Sequence, residues 1–113
     1  MIKRTKYNNR KTVIDDITFD SMKEAKRYSE LKLLERAGAI SELELQVSFE
    51  LIPSQKGGMR KELPMRYLAD FVYRDLQKPN VPLVIEDVKG VKTKEYVIKR
   101  KLMKYNGYEI TEI

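Results

Sequence analysis

The chain contains neither cysteine nor histidine. The first absence removes disulfides, thiol nucleophiles and thiolate metal sites; the second removes imidazole as a ligand and as a general acid or base. Any metal held by this chain must therefore sit on carboxylates and carbonyls, a donor set suited to hard cations such as Mg²⁺ or Mn²⁺. No apolar run in the sequence approaches the roughly 18 residues of a membrane span. The basic, polar N-terminus lacks the apolar stretch of a secretory signal. Together these absences give the expectation of a cytoplasmic protein with no membrane partner.

What the chain has in quantity is charge. Lysine and arginine total 23 against 17 acids, for a net charge of +6. With 42% hydrophobic and 35% charged residues the chain reads as globular rather than disordered. Its 113 residues are enough for one domain spanning 1–113 and too few for two. A charge of +6 lies within the ordinary solubility range, yet a small basic domain has polyanions as its default partner. Residues 1–12 hold Lys3, Arg4, Lys6, Arg10 and Lys11 without an acid, and read either as a basic arm or as a solvated terminus.

Thr12 to Phe19 has the pattern of a small hairpin turning at Asp15-Asp16. Ser21-Met22-Lys23-Glu24 is a capping-box pattern that predicts a helix running to about Ala37 and ending at Gly38. Tyr28, Leu31 and Leu34 are its expected apolar stripe, and at 100° per residue Glu24 falls on that same inward face. Strands are expected over Leu43 to Ile52, Arg66 to Tyr73 and Leu83 to Val88. A loop containing Gly57-Gly58 separates the first two and a polar turn the last two. A second helix is expected from Thr93 to about Tyr105 with Ile98, Leu102 and Tyr105 facing inward, and then a strand from Tyr108 to Ile113.

Three strand positions stand out chemically. Asp70 interrupts an apolar run, a placement that costs free energy unless the acid is paired or metal-bound. Asp87 and Lys89 are two residues apart on the next strand and so share a face, while Glu86 points the other way. An exposed ion pair is one account of Asp87 and Lys89, but such pairs contribute only ~0–1 kcal/mol. An acid and an amine beside a second strand acid can instead bind a divalent cation and handle a water, which suits phosphodiester hydrolysis. Glu24 has an ordinary role in the cap, and its inward face also lets it complete a metal site. The second helix carries Lys94, Lys99, Arg100, Lys101 and Lys104, with Lys92 just before it and Glu95 as the only acid among them. That face suits phosphate contacts, as do Arg10 and Lys11. Tyr96 and Tyr105 read either as core residues or as stacking platforms for bases.

The order helix–strand–strand–strand–helix–strand, with Glu24, Asp70 and Asp87-Val88-Lys89 on successive elements, resembles the PD-(D/E)XK nuclease superfamily. Phe19-Asp20-Ser21 with Glu24-Ala25, Tyr67-Leu68-Ala69-Asp70-Phe71, Glu86-Asp87-Val88-Lys89-Gly90 and Thr93-Lys94-Glu95-Tyr96 are similar to a family of small phage and prophage proteins in that superfamily. Some of its members are described as endonucleases or Holliday junction resolvases. Ala69 stands where the superfamily usually has proline.

The resemblance implies an α/β (α+β) restriction-endonuclease-like core, a mixed central sheet flanked by helices. It implies Asp70, Asp87 and the Val88 carbonyl as ligands of Mg²⁺ or Mn²⁺, Lys89 as the catalytic lysine and Glu24 as the helix acid, with Gln46 peripheral. It also implies branched or duplex DNA as the partner, a homodimer for symmetric cutting of a junction, and phage recombination or replication proteins as associates in a bacterial host. A chain this short has little room for a sequence-reading domain, which favours recognition of DNA shape. The alternative is a non-catalytic or partner-dependent DNA-binding subunit. Intact Asp70, Asp87 and Lys89 argue against it, because a pure binder has no use for acids that repel phosphate.

Overall fold

The computed structural model describes residues 11–113, so Arg10 and the rest of the expected basic arm before Lys11 lie outside the described residues. The elements are β1 (Thr12–Ile14), β2 (Ile17–Phe19), α1 (Met22–Arg36), β3 (Ile40–Ile52), β4 (Met65–Asp75), β5 (Val84–Asp87), α2 (Lys94–Tyr105) and β6 (Ile110–Glu112). Local chemistry explains most of the boundaries. Asp15 and Asp16, with φ of 51° and 62°, make the two-residue hairpin turn that matches strand twist. Ser21 caps α1 by accepting from the Glu24 N–H at 3.1 Å, and Thr93 caps α2 by accepting from Tyr96 at the same distance.

The main sheet runs β3-β4-β5-β6, antiparallel through β5 and parallel between β5 and β6, so the sheet is mixed. The helices cover opposite faces. On one, Ala25, Tyr28 and Leu31 of α1 pack with Phe19, Ile40, Phe71 and Tyr73. On the other, Tyr96 and Met103 of α2 pack with Leu51, Tyr67, Ala69, Val72 and Ile85. Leu31, Phe71 and Met103 are fully buried, worth about 1.5–3 kcal/mol each.

Two expected core faces are corrected. Leu34 is exposed, because it lies about 120° round the helix from Tyr28 at the middle of the buried face, and Ala25, about 60° from Tyr28, takes the inward position instead. In α2 the expected inner residues Ile98 and Tyr105 are 54% and 87% exposed, and Leu102 is only partly buried. Tyr96 and Met103, on the other side of the helix, face the sheet. The Tyr96 hydroxyl donates to Glu112 on β6 at 2.6 Å, which fixes the rotation of α2. The first long strand also begins earlier than the sequence suggests. Glu42, at φ 56°, makes a bulge between Ser41 and Glu44 that carries pairing on to Ile40↔Asp75.

A second irregularity places the site. Tyr67 and Ala69 pack on the α2 side while Phe71 and Tyr73 pack on the α1 side, although a regular strand keeps all four on one face. On β3, Leu43 and Leu45 likewise go with α1, and Val47 and Phe49 with α2. The inward face of both strands turns over between the pairs Leu45↔Phe71 and Val47↔Ala69, where Gln46 faces Asp70. Gln46 has φ 54°, a left-handed conformation that costs a non-glycine residue roughly 1–3 kcal/mol and is concentrated at functional sites.

Candidate active site

Asp70 sits at that turnover, half-buried, with its Oδ2 accepting from the Val88 N–H at 2.8 Å. This bond ties the second strand acid to the Asp87-Val88-Lys89 segment at the end of β5. Asp87 is 3% exposed and accepts from the Tyr67 hydroxyl. Lys89 reaches back along the same strand edge, with its Nζ 3.3 Å from Asp87 Oδ1 and 4.2 Å from the centre of the Tyr96 ring. The ring face holds the ammonium beside the acid.

Glu24, in the first turn of α1, is buried and accepts from Gln46 Nε2 at 3.3 Å. The same amide nitrogen lies 3.4 Å from Asp70 Oδ1, so Gln46 bridges the helix acid and the strand acid. The capping role suggested for Glu24 by its sequence position belongs to its backbone N–H; its carboxylate is turned to the site.

Asp20, Glu24, Asp70, Asp87, Val88, Lys89 and Lys23 line one pocket of about 630 Å³, together with Ser21, Leu68, Gly90, Val91 and Thr93. Four acids against two lysines leave it electronegative within a chain of net charge +6. The charge crowding is visible in the acids. Burial pushes the Asp70 carboxyl up to about 7; the Val88 N–H works against that, and the charges of Glu24 and Asp87 add to it. Burial, with Asp20 and Asp87, also raises Glu24. Burial and the bond to Asp87 raise Tyr67, which keeps its phenol a proton donor.

Buried carboxylates of this kind are stabilised by a cation, and their hard oxygens fit Mg²⁺ or Mn²⁺. Among the described residues no three acids close into a ligand cage. A cation bound by so open a set of acids would keep part of its water shell, which suits Mg²⁺ because that ion sheds its waters reluctantly.

The expected phosphate-binding cations divide into two groups. Lys92 and Arg100 pair with Glu112 at 3.2 and 3.6 Å, and Lys99 pairs with Glu95 at 3.0 Å. Lys94, Lys101 and Lys104 are exposed and make no ion pair among the described residues, and Lys11 is exposed as well. Lys94, Ile98, Lys101 and Tyr105 fall on one outward stripe of α2, so Tyr105 is available for stacking and Tyr96 is not.

Sequence reasoning missed a third buried acid. Glu86 does point away from Asp87, as alternation requires, yet it is 1% exposed and anchors a network of its own. Arg27 of α1 grips it with two bonds of 2.8 and 2.6 Å, and the Tyr73 hydroxyl donates at 2.5 Å. Arg27 lies one turn beyond Glu24, so this clamp sets the rotation of α1 that aims Glu24 at the pocket. The available signal was the need of any buried acid for a buried cation. Gln46 and Tyr67 are the other contributors whose importance only the folded arrangement reveals.

Residues 4–112 match the model of a family described as "Protein of unknown function (DUF1064)". No curated protein matches the chain, and no solved structure does.

Proposed function

The chain belongs to the DUF1064 family, which carries no assigned activity, and we propose from its site that it is a metal-dependent endonuclease hydrolysing DNA phosphodiester bonds. The observation that carries this reading is the meeting of Glu24, Asp70, Asp87 and Lys89 in one electronegative pocket at the turnover of the sheet. Their order along the chain is that of the PD-(D/E)XK nucleases the sequence resembles. Asp70, Asp87 and the Val88 carbonyl would hold the cation directly and Glu24 through water. A bound Mg²⁺ or Mn²⁺ would supply an acidified water and charge neutralisation at the phosphate.

The chain's own groups do the rest. Lys89, 3.3 Å from Asp87, keeps a positive charge where the attacked phosphate gains negative charge, and its ammonium orients the water. Tyr67 holds Asp87 in place through its hydroxyl. Gln46 spaces Glu24 from Asp70. The exposed lysines of α2, which starts at the rim of the pocket with Thr93, hold the phosphate backbone by charge.

We further propose branched DNA as the preferred substrate, cut by a homodimer in phage recombination or replication. The test is incubation with labelled four-way junction, flap, single-stranded and duplex DNA, with Mg²⁺, Mn²⁺ or EDTA, beside Asp87→Ala. Metal-dependent cutting lost in the mutant is the expected result, and cuts placed symmetrically at the junction identify a resolvase. Equal cutting by Asp87→Ala refutes the site. Binding without any cutting, together with no heat on calorimetric titration with Mn²⁺, refutes the enzyme in favour of a binding subunit.

A further inference from the structure

Beyond the turnover at Gln46 and Asp70, β3 and β4 continue as a two-stranded ribbon whose one face packs on α2 through Leu51, Tyr67 and Ala69. Among the described residues nothing covers the opposite face. Asp70, Leu68 and Arg66 follow one another along it, with Ser48 opposite Leu68 and Glu50 opposite Arg66. Leu68 is 54% exposed, and Ser48, Glu50 and Arg66 are exposed too. The open face thus leads from the acid pocket, of which Leu68 is part, to the far end of the ribbon.

That end is a built turn. Gln55 and Glu62 exchange two backbone bonds of 2.9 Å and so continue the ladder past the strands. Gly57 and Gly58 have φ of +108° and +66°, and a Cβ on either would meet nothing within 4 Å. The glycines are therefore required by backbone conformation and not by packing. Around them Lys56, Arg60 and Lys61 are exposed and make no ion pair among the described residues. Met59, at the point of the turn, is wholly exposed. Three cations and an apolar wedge on a shaped tip are complementary to a nucleic-acid backbone with a base step that can open.

We propose that this ribbon is a second DNA-contacting element, in which Lys56, Arg60 and Lys61 hold phosphates and Met59 enters an unstacked step of branched DNA. The proposal rests on the nuclease reading and adds to it a ruler. Glu62 is eight residues from Asp70 along the ribbon, or roughly 26 Å at about 3.3 Å per residue. At 3.4 Å per base pair the tip falls about seven or eight pairs from the phosphate at the acid pocket. Nucleic acid with arms shorter than this cannot engage both.

The experiment measures binding of the full chain in EDTA to four-way junctions with arms of about 5 and about 12 base pairs, and to plain duplex, across salt concentration. The tip variant replaces Lys56, Arg60 and Lys61 together by alanine; a companion replaces Lys94, Lys101 and Lys104. With long arms, the tip variant should lose about 2.7 from the slope of log K against log salt, at about 0.9 per phosphate released. With short arms it should coincide with the unaltered chain. Met59→Ala should weaken junction binding and leave duplex binding and the salt slope unchanged. An unaltered slope in the tip variant, alongside a reduced slope in the α2 variant, overturns the ribbon proposal and leaves the nuclease reading standing. No DNA binding by the unaltered chain overturns both. Loss of self-association in the tip variant, with its salt slope intact, assigns the tip to contact between copies and also overturns the proposal.

Discussion

Asp70→Asn tests whether the acids of the pocket serve to receive a positive charge. In the folded chain burial and neighbouring acids lift the Asp70 carboxyl from 3.8 to about 7. Well below pH 3.8 the group is protonated whether the chain is folded or not and has no effect on stability. Between pH 4 and 7 the folded chain keeps a proton that the unfolded chain has lost, so stability falls as pH rises, and the full cost is present above pH 7. At about 1.36 kcal/mol per pH unit, the gap from 3.8 to about 7 sets a ceiling of about 4 kcal/mol. Asp70 is half-open to the pocket, and solvent screening brings this to about 2 kcal/mol.

Asparagine removes the charge, and its carbonyl can still accept the Val88 N–H bond of 2.8 Å. In EDTA at pH 8 the variant should melt about 8 °C above the unaltered chain, at about 4 °C per kcal/mol. At pH 4 the two should nearly coincide. Saturating Mg²⁺ should reverse the order, because binding at a hundredfold excess over Kd adds about 2.7 kcal/mol to the unaltered chain alone. Thermal melts at pH 4 and pH 8, each with EDTA or Mg²⁺, provide the measurement. A variant that is less stable at pH 8 in EDTA would refute the reasoning, since Asp70 would then be serving the fold.

Lys89→Met should lower cleavage roughly 10²–10³-fold while calorimetry still registers Mn²⁺; loss of the metal instead would make Lys89 a structural partner of Asp87. Arg27→Met leaves Glu86 buried without its cation and should cost about 3–5 kcal/mol in denaturant unfolding. Adding Glu86→Gln should recover part of that loss, and no recovery would count against the clamp. Met103→Ala should cost about 2–5 kcal/mol and Ile98→Ala within about 0.5 kcal/mol; equal losses would mean that the outward face of α2 is wrongly assigned.

The sequence makes some of this molecule legible because the signals are local. Ser21 and Thr93 cap the helices they precede, and Asp87 and Lys89 share an edge because strands alternate. Other features depend on distant partners and leave no local trace. Ile98, Leu102 and Tyr105 have a helical period as good as that of Tyr96 and Met103; the choice between the two faces is made by Glu112 on another strand. Glu86 is matched by Arg27, 59 residues earlier on a helix. The turnover at Gln46 is hidden because a non-glycine residue occupies a left-handed position there. Alternation thus holds on either side of Gln46 but not through it, so Gln46 looked peripheral when it joins Glu24 to Asp70.

The turnover also governs which changes of length the chain can accept. Everything that fixes the acids lies at or before Gln46 on β3 and at or after Tyr67 on β4, with the turn from Pro53 to Pro64 between the two strands. Insertions near that turn in matched pairs, two residues in each strand, preserve the parity that keeps Leu51 and Tyr67 against α2 and lengthen the ribbon by roughly 6.6 Å per pair. A single inserted residue between Gln46 and Leu51 reverses the remainder of the strand and turns its core residues outward. Ribbon length is therefore a quantised variable, open to evolution and to grafting in steps of two, while the chemistry at its base stays fixed.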